Sequence, residues 1–239
     1  MHQKIEELPS TGFRTIELSF PDLPAFASRY FGRDIAADDY PSLTAAAASP
    51  LGSEKREDAF ARARGWVGII SAAGTDMLQV GSSDSPEIRD TPVERLTGDL
   101  RQLADMLSEK VFRLAYENWC WAMRAPTWKA AWDLVRQVGR PNIGLYLDTF
   151  QSAGRVPDDD GGDAYRVDPP FSKDPDAATG LRPRGWWCHK YRPLPYDGGY
   201  LPVRNVVEAV LTTGFQGWFS MEVFDGRFQE KYGNDLKPA

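Results

Sequence analysis

The feature that most constrains this fold is a regular alternation between short apolar segments and longer segments with apolar residues at helical spacing. Predicted strands cover residues 14–20, 76–80, 112–117, 142–148 and 218–224. Predicted helices cover residues 3–8, 57–72, 91–110, 127–138 and 203–213. Parallel strands need crossover connections, most often helices, so this order predicts an α/β fold with a parallel sheet.

The segment at residues 152–200 departs from this alternation. Runs such as DDDGG at residues 158–162 and Pro-Pro at residues 169–170 are typical of turns and loops, and no strand pattern is found there. A chain of 239 residues is long enough for one domain with a buried core. We therefore expect a single domain over residues 1–239 with a loop-rich segment at residues 152–200.

The balance of charge argues against two classes of partner. The 34 acidic side chains outnumber the 28 basic ones and the formal net charge is -6, whereas nucleic acids and anionic membranes attract clustered Lys and Arg. No apolar run approaches the roughly 20 residues that span a bilayer, and the first residues lack the apolar centre of a signal peptide. We expect no nucleic-acid or membrane partner, a cytoplasmic location, and reduced, packed thiols at Cys120 and Cys188.

Three of the predicted strands finish on or near a carboxylate, namely Glu117, Asp148 and Glu222. The C-terminal ends of parallel strands share one face of such folds, so these acids are expected to meet. Crowded carboxylates repel one another and have raised pKa values, and a divalent cation such as Mg²⁺, Mn²⁺ or Zn²⁺ would remove the repulsion. The alternative for each residue is a helix N-cap or a solvated loop charge.

Motifs around these acids carry a resemblance to a known family. The first is RLAYENW at residues 113–119, and the second is PNIGLYLDTFQ at residues 141–151. Together with GYLP at residues 199–202 and TGFQGWFSMEVF at residues 213–224, they resemble the sugar phosphate isomerase/epimerase superfamily, the xylose-isomerase-like TIM barrels. Within that superfamily the chain is most similar to fungal-type 3-dehydroshikimate dehydratases, and the similarity covers residues 5–228.

The resemblance implies a TIM (β/α)8 barrel, although only about five parallel strands are recognisable. A barrel of about 250 residues uses roughly 31 residues for each strand and helix, so nearly eight strands are expected at this length. Compared with the family pattern, the first strand and the strands expected at residues 43–53 and 177–181 are missing. The expected fold is therefore an incomplete barrel, whose exposed sheet edges favour a homodimer.

The resemblance also implies a reaction. Glu117, Asp148 and Glu222 would bind a divalent cation that stabilises an enolate, and Glu117 or Glu222 would remove the proton. Loss of a β-hydroxyl as water would then convert 3-dehydroshikimate into protocatechuate. The alternatives are a sugar isomerase or epimerase with the same metal site, and a non-catalytic shortened relative that binds a small polyol or nothing. The expected partner is a small polyol or hydroxy-keto acid.

Three polar side chains near the strand ends are candidates for substrate contacts. Gln151 falls three residues after Asp148, where many superfamily members place a substrate-contacting His. Its amide can hold a hydroxyl but cannot carry a proton near neutral pH. Gln79 and Ser82 lie at the end of the strand predicted at residues 76–80, where they either line a pocket for hydroxyls or belong to an ordinary turn.

The motif WWCHKYR at residues 186–192 supplies the remaining candidates. His189 is a candidate general acid, and Lys190 or Arg192 is a candidate clamp for a substrate carboxylate. The alternative is a loop that its tryptophans anchor and that contains an incidental His.

Several tryptophans follow Glu117 in the sequence. Trp119 or Trp121 is a candidate wall for a pocket that takes a planar ring. Trp128 and Trp132 lie four residues apart on a predicted helix and are expected to pack in the core.

Overall fold

The structure is a computed structural model that describes residues 8–12, 14, 17, 56–153, 183–199 and 201–233. The helix predicted at residues 3–8 and the strand predicted at residues 14–20 lie almost wholly outside this part of the chain, as do residues 43–53 and 177–181. The first described element is a short 3-10 helix, Leu8–Thr11. Gly12 follows it with a left-handed φ of +89°, as the turn predicted there requires.

Helices and strands alternate through most of the described chain. The helices are α1 (Arg56–Ala73), α2 (Val93–Ser108), α3 (Trp128–Val138), α4 (Thr149–Ala153), α5 (Pro183–Cys188), α6 (Val203–Thr212) and α7 (Phe228–Tyr232). The strands are β1 (Met77–Gly81), β2 (Arg113–Glu117), β3 (Ile143–Tyr146), β4 (Tyr191–Arg192) and β5 (Phe224–Asp225). The elements predicted between residues 57 and 148, and the helix predicted at residues 203–213, are confirmed with their ends shifted by no more than two residues.

Strands β1, β2 and β3 form a parallel sheet in that order, as the alternation predicted. The pairing aligns Gly81 with Glu117, and Glu117 with Tyr146. Because the C-terminal ends of the three strands lie side by side, the residues that follow them emerge at one edge of the sheet. Helices α2 and α3 form the crossovers between the strands.

The main core lies between this sheet and helices α2 and α3. Leu100, Leu103 and Leu107 recur at helical spacing along α2, and they are buried in one cluster with Leu114 of β2 and Val138 of α3. Each fully buried side chain of this kind contributes about 1.5–3 kcal/mol. This packing holds the strand ends in a fixed position relative to one another.

Helix α3 has well-defined ends and a distinct inner face. Thr127 accepts a hydrogen bond from the backbone N–H of Ala130, and Gly139 ends the helix with a left-handed φ of +63°. Its buried residues are Ala131, Leu134, Val135 and Val138. The prediction that Trp128 and Trp132 pack in the core is wrong, because both are exposed. Their spacing shows that they share a helix face but not which face meets the sheet.

The strand predicted at residues 218–224 is wrong over most of its length. Only its last residue is paired, since β5 is antiparallel to β4, which lies inside the segment predicted to lack strands. The exposed apolar side chains of this segment include Trp218, Phe219 and Met221. Alternation of apolar and polar residues is typical of a strand. A strand forms, however, only where a neighbouring strand pairs with its backbone N–H and C=O groups. Among the described residues, the parallel sheet has three strands and closes no barrel.

Candidate active site

Two of the three predicted carboxylates pair with one guanidinium, and the third lies within electrostatic reach of both. Glu117 ends β2, Asp148 follows β3 by two residues, and Glu222 precedes β5 by two residues. Arg192 in β4 places Nη2 2.5 Å from Oδ2 of Asp148 and Nη1 2.8 Å from Oε2 of Glu222. The charges of Asp148 and Glu222 both act on Glu117. The three acids lie in one region, and the positive charge between Asp148 and Glu222 is the guanidinium of Arg192.

Glu117 is the most perturbed of these acids. Its side chain is buried, and Oε2 accepts hydrogen bonds from Nε2 of Gln79 at 2.8 Å and from Nε1 of Trp119 at 3.0 Å. Burial raises the pKa of Glu117 to about 7, and the charges of Asp148 and Glu222 add to the shift against the opposing hydrogen bonds. At neutral pH the group can therefore both accept and donate a proton. Gln79, a predicted substrate contact, is placed as the partner of this carboxylate.

Trp119 forms one wall beside Glu117. Its indole lies directly over Gly81, because a Cβ added there would be 2.2 Å from Cζ2 of the indole. It also stacks on Trp121, with ring centroids 5.5 Å apart. Ser82 is buried, and its hydroxyl accepts a hydrogen bond from the backbone N–H of Trp119 at 2.7 Å. Ser82, a predicted contact for substrate hydroxyls, thus holds the backbone of Trp119 in place.

Asp148 has two functions at the start of α4. Its Oδ1 accepts backbone hydrogen bonds from Phe150 at 2.6 Å and from Gln151 at 3.1 Å, as a helix cap does, while Oδ2 pairs with Arg192. Gln151 is buried, and its Oε1 accepts a hydrogen bond from the backbone N–H of Cys120 at 3.0 Å. Both ends of this amide are used within the protein, since Nε2 donates to Cys188. This placement supports the loop after β2 and does not favour the predicted substrate contact.

Arg192 is enclosed on several sides. Its guanidinium lies 5.5 Å from the ring centroids of both Phe150 and Phe224, and Nη1 donates to Sγ of Cys188 at 3.3 Å. Its side chain is 10% exposed. Burial also raises the pKa of Cys188 to about 11, so this residue is a neutral thiol at physiological pH. Arg192 is therefore held in one place by charge and by packing together.

The other two candidates of the WWCHKYR motif lie at the rim. His189 is exposed, its Nδ1 lies 2.7 Å from the carbonyl oxygen of Gly185, and its ring stacks on Phe224. Burial raises the pKa of Glu222, and the charges of Arg192 and, more weakly, His189 oppose this shift. Lys190 is exposed, and its carbonyl oxygen accepts a hydrogen bond from the backbone N–H of Gly226. The structure brings His189 into electrostatic reach of Glu222.

A fourth carboxylate, which the sequence reasoning missed, belongs to the same region. Oε2 of Glu17 accepts hydrogen bonds from Oη of Tyr146 and from Oγ of Ser220, each at 2.8 Å. Burial raises the pKa of Tyr146, and the charge of Glu17 raises it further. Glu17 stands within the strand predicted at residues 14–20, but no local pattern distinguishes it from a surface acid.

The predicted divalent cation can be tested against these positions. Carboxylate oxygens are suitable donors for Mg²⁺ or Mn²⁺. In the described part of the chain, however, no three His, Cys, Asp or Glu side chains are placed to hold one metal ion. Arg192 takes one oxygen from Asp148 and one from Glu222. The residues therefore do not fit a cation while Arg192 keeps both partners.

Comparisons with known proteins identify the family of this chain. A family model described as xylose isomerase-like TIM barrel matches residues 5–237, which confirms the resemblance carried by the sequence motifs. A 3-dehydroshikimate dehydratase of Neurospora crassa is 28% identical over 209 residues, covering 70% of this chain and 58% of the relative. One of Pseudomonas aeruginosa is 31% identical over 166 residues, covering 67% of this chain and 25% of the relative. The chain thus spans less than two thirds of the length of either relative.

Solved structures agree on the fold. A xylose isomerase-like TIM barrel protein of Mycobacterium smegmatis in complex with magnesium is 17% identical, with a TM-score of 0.52 over 94% of this chain and 81% of that chain. A xylose isomerase domain containing protein of Salmonella typhimurium is 16% identical, with a TM-score of 0.54 over 76% of this chain and 67% of that chain. Within the described residues, no helix has the length and apolar character needed to span a membrane.

Proposed function

Because the chain belongs to the xylose isomerase-like TIM barrel family, we propose that it is a dehydratase that converts 3-dehydroshikimate into protocatechuate and water. The observation that carries the proposal is Glu117, a buried carboxylate with a pKa of about 7 in the same region as the guanidinium of Arg192. The names of the relatives support this substrate, although the chain spans only 58% and 25% of the two relatives described above.

Glu117 is the base in this proposal. Efficient proton transfer needs a group whose pKa lies near the working pH, and burial raises the pKa of Glu117 into that range. The hydrogen bonds from Gln79 and Trp119 fix the orientation of its carboxylate. A proton α to the substrate carbonyl would pass to the carboxylate of Glu117, and the resulting carbanion would be delocalised as an enolate.

Arg192 binds the acidic substrate. A guanidinium has five N–H donors in a planar fork that matches a carboxylate. Its partner Glu222 has a side chain that is 46% exposed, whereas the side chain of Asp148 is 5% exposed. A substrate carboxylate would therefore take the place of Glu222 on Nη1, while Asp148 continues to hold Nη2.

The release of Glu222 prepares the second half of the reaction. Burial raises the pKa of Glu222, so its carboxyl group can supply a proton to the β-hydroxyl, which then leaves as water. Removal of one water from 3-dehydroshikimate and a shift of its remaining hydrogens give the aromatic ring of protocatechuate. The sum requires no oxidant or other reactant.

Dependence on a divalent cation is a separate part of the proposal. The magnesium complex of the Mycobacterium smegmatis protein and the family resemblance support a cation. The positions of Asp148 and Glu222 oppose it while Arg192 binds both. The proposed steps use only side chains of the protein. The assay with a chelator and with added metals tests whether a cation is needed.

The decisive experiment incubates the full chain with 3-dehydroshikimate and follows the catechol absorbance of protocatechuate. The assay is run after treatment with a chelator and again with added Mg²⁺, Mn²⁺ or Zn²⁺. Glu117→Gln should lose activity, and Glu208→Gln, an exposed acid paired with Arg204 on α6, is the matched control. If no metal condition yields protocatechuate, the proposed function is wrong.

A sugar isomerase or epimerase is the second candidate. It is favoured by the same property of Glu117, because a carboxyl group with a pKa of about 7 can remove a proton and return it to another carbon. Such an enzyme would produce an isomeric sugar and no aromatic product. Product analysis by mass spectrometry separates the two reactions, since dehydration removes one water and isomerisation leaves the mass unchanged.

A further inference from the structure

Glu17 connects two chain segments that are distant in sequence. The hydroxyl groups of Tyr146 and Ser220 both donate to its Oε2, each at 2.8 Å. Glu17 is 129 residues from Tyr146 and 203 residues from Ser220. Hydrogen bonds to an ionised carboxylate are stronger than those between neutral groups.

The two donors have equivalent positions relative to the site. Tyr146 lies two residues before Asp148, and Ser220 lies two residues before Glu222. Arg192 joins Asp148 to Glu222. The segments 146–148 and 220–222 are therefore joined twice. The carboxylate of Glu17 joins their first residues, and the guanidinium of Arg192 joins their last residues.

The second segment needs such a link because its backbone has no place in a sheet. Of the chain between α6 and α7, only β5 is paired as a strand, and it begins two residues after Glu222. The side chain of Glu222 is 46% exposed, so packing alone does not fix it. The hydrogen bond from Ser220 to Glu17 is a side-chain contact that can fix this segment.

We propose that Glu17 is a positioning residue that sets the separation of Asp148 and Glu222 on either side of Arg192. It acts through Tyr146 and Ser220 and does not touch the substrate. This inference rests on the proposed function only where activity is the readout. The distance between the two carboxylates tests it independently.

The test compares Glu17→Ala with Glu17→Gln. Both hydroxyls donate to the same oxygen of Glu17, so the amide oxygen of Gln can accept both, whereas Ala accepts neither. We expect Glu17→Ala to lower kcat about tenfold with little change in KM, since misplacement of a reacting group impairs the chemical step more than binding. Glu17→Gln should restore most of kcat, and Glu208→Ala is the control for loss of an exposed acid.

Ser220→Ala is the second variant, because it removes one hydrogen bond from an exposed residue with little risk to folding. It should lower kcat less than Glu17→Ala does. If Glu17→Ala keeps the wild-type kcat, or if Glu17→Gln is as impaired as Glu17→Ala, the positioning role is wrong.

Crystal structures of wild-type protein, Glu17→Ala and Glu17→Gln provide the readout that does not need activity. The separation of the carboxylate carbons of Asp148 and Glu222 should change in Glu17→Ala and be preserved in Glu17→Gln. An unchanged separation in Glu17→Ala overturns the inference. A wild-type protein that forms no protocatechuate refutes the proposed function, and these structures then decide the role of Glu17.

Discussion

Oδ2 of Asp148 lies 2.5 Å from Nη2 of Arg192, although the two residues are 44 positions apart in the chain. Both side chains are largely buried, at 5% and 10% exposed. A buried ion pair of this kind costs desolvation when it forms, but the loss of one partner leaves an uncompensated charge. The site therefore depends on this pair for its integrity.

Arg192→Met should lower the free energy of unfolding by about 3 kcal/mol, because Asp148 would remain buried without its cation. Urea unfolding at neutral pH in the presence of a chelator measures the effect. Arg204→Met is the control: Arg204 forms an exposed pair with Glu208, and its loss should change the free energy of unfolding by about 0.5 kcal/mol or less. Equal effects of the two substitutions would contradict the importance of the Asp148 pair.

Added Mn²⁺ should raise the melting temperature of Arg192→Met more than that of the wild type. In the wild type, a cation must compete with the guanidinium for Asp148 and Glu222, whereas in the variant these oxygens lack that partner. Ligand binding to the folded state raises stability according to the affinity. Thermal scans with increasing Mn²⁺ test this, and a larger shift in the wild type would show that Arg192 does not compete with the metal.

Glu222→Gln should abolish dehydratase activity and leave the fold intact. The side chain is 46% exposed and lies outside the main core, so its loss as an acid changes chemistry more than packing. Turnover of 3-dehydroshikimate and the far-UV circular dichroism spectrum are the two measurements. Undiminished turnover would remove Glu222 from the reaction, and Glu208→Gln controls for a change in surface charge.

Glu117→Gln should stabilise the metal-free protein at alkaline pH. The pKa of Glu117 is raised from 4.5 to about 7 in the folded protein. Ionisation of this carboxyl group is therefore more favourable in the unfolded chain than in the folded protein, and it lowers the free energy of unfolding. This destabilising effect is absent below pH 4.5, grows as the pH rises towards 7, and is complete above that value. The variant should gain on the order of 3 kcal/mol above pH 7 and nothing at pH 4.

Unfolding free energies of Glu117→Gln and wild type, measured from pH 4 to pH 8.5 with a chelator present, follow this difference. A difference that does not change with pH would show that Glu117 has an ordinary pKa.

Gly81→Ala should displace the indole of Trp119, because the new Cβ would lie 2.2 Å from Cζ2 of that ring. The displacement would break the hydrogen bond from Trp119 to Glu117 and change the tryptophan fluorescence. Gly98→Ala is the control, since Gly98 lies within α2 and nothing lies within 4 Å of its added Cβ. The control should stabilise the helix by up to about 1 kcal/mol. An unchanged fluorescence spectrum for Gly81→Ala would contradict the position of Trp119.

Local patterns sufficed to predict the sheet and its crossovers. The register that aligns Gly81, Glu117 and Tyr146 joins strands whose apolar residues and flanking turns are visible in the sequence. The same reasoning failed at residues 218–224, where alternation was present but only the last residue became part of a strand. Pairing depends on a neighbouring strand, and β propensity carries no information about that neighbour.

The sequence also predicted part of the candidate site and missed the rest. Glu117 and Asp148 could be named together because the strand ends of parallel α/β folds share an edge. Glu222 was added on the basis of a strand predicted at residues 218–224, of which only the last residue is paired. The sequence reasoning also singled out Arg192, but as a clamp for substrate, and not as the partner of Asp148 and Glu222. It did not identify Glu17, whose surroundings in the sequence resemble those of any acid in a half-exposed strand.

The order of residues alone thus predicts the helices and strands between residues 57 and 148, since their apolar residues recur at helical or strand spacing. It also decides that Glu117 ends β2 and that Asp148 follows β3 by two residues. Only the folded chain decides which group balances those acids, because the partners are separated by 44, 129 and 203 residues. Interactions over such separations depend on how distant segments pack, and no local pattern encodes that packing.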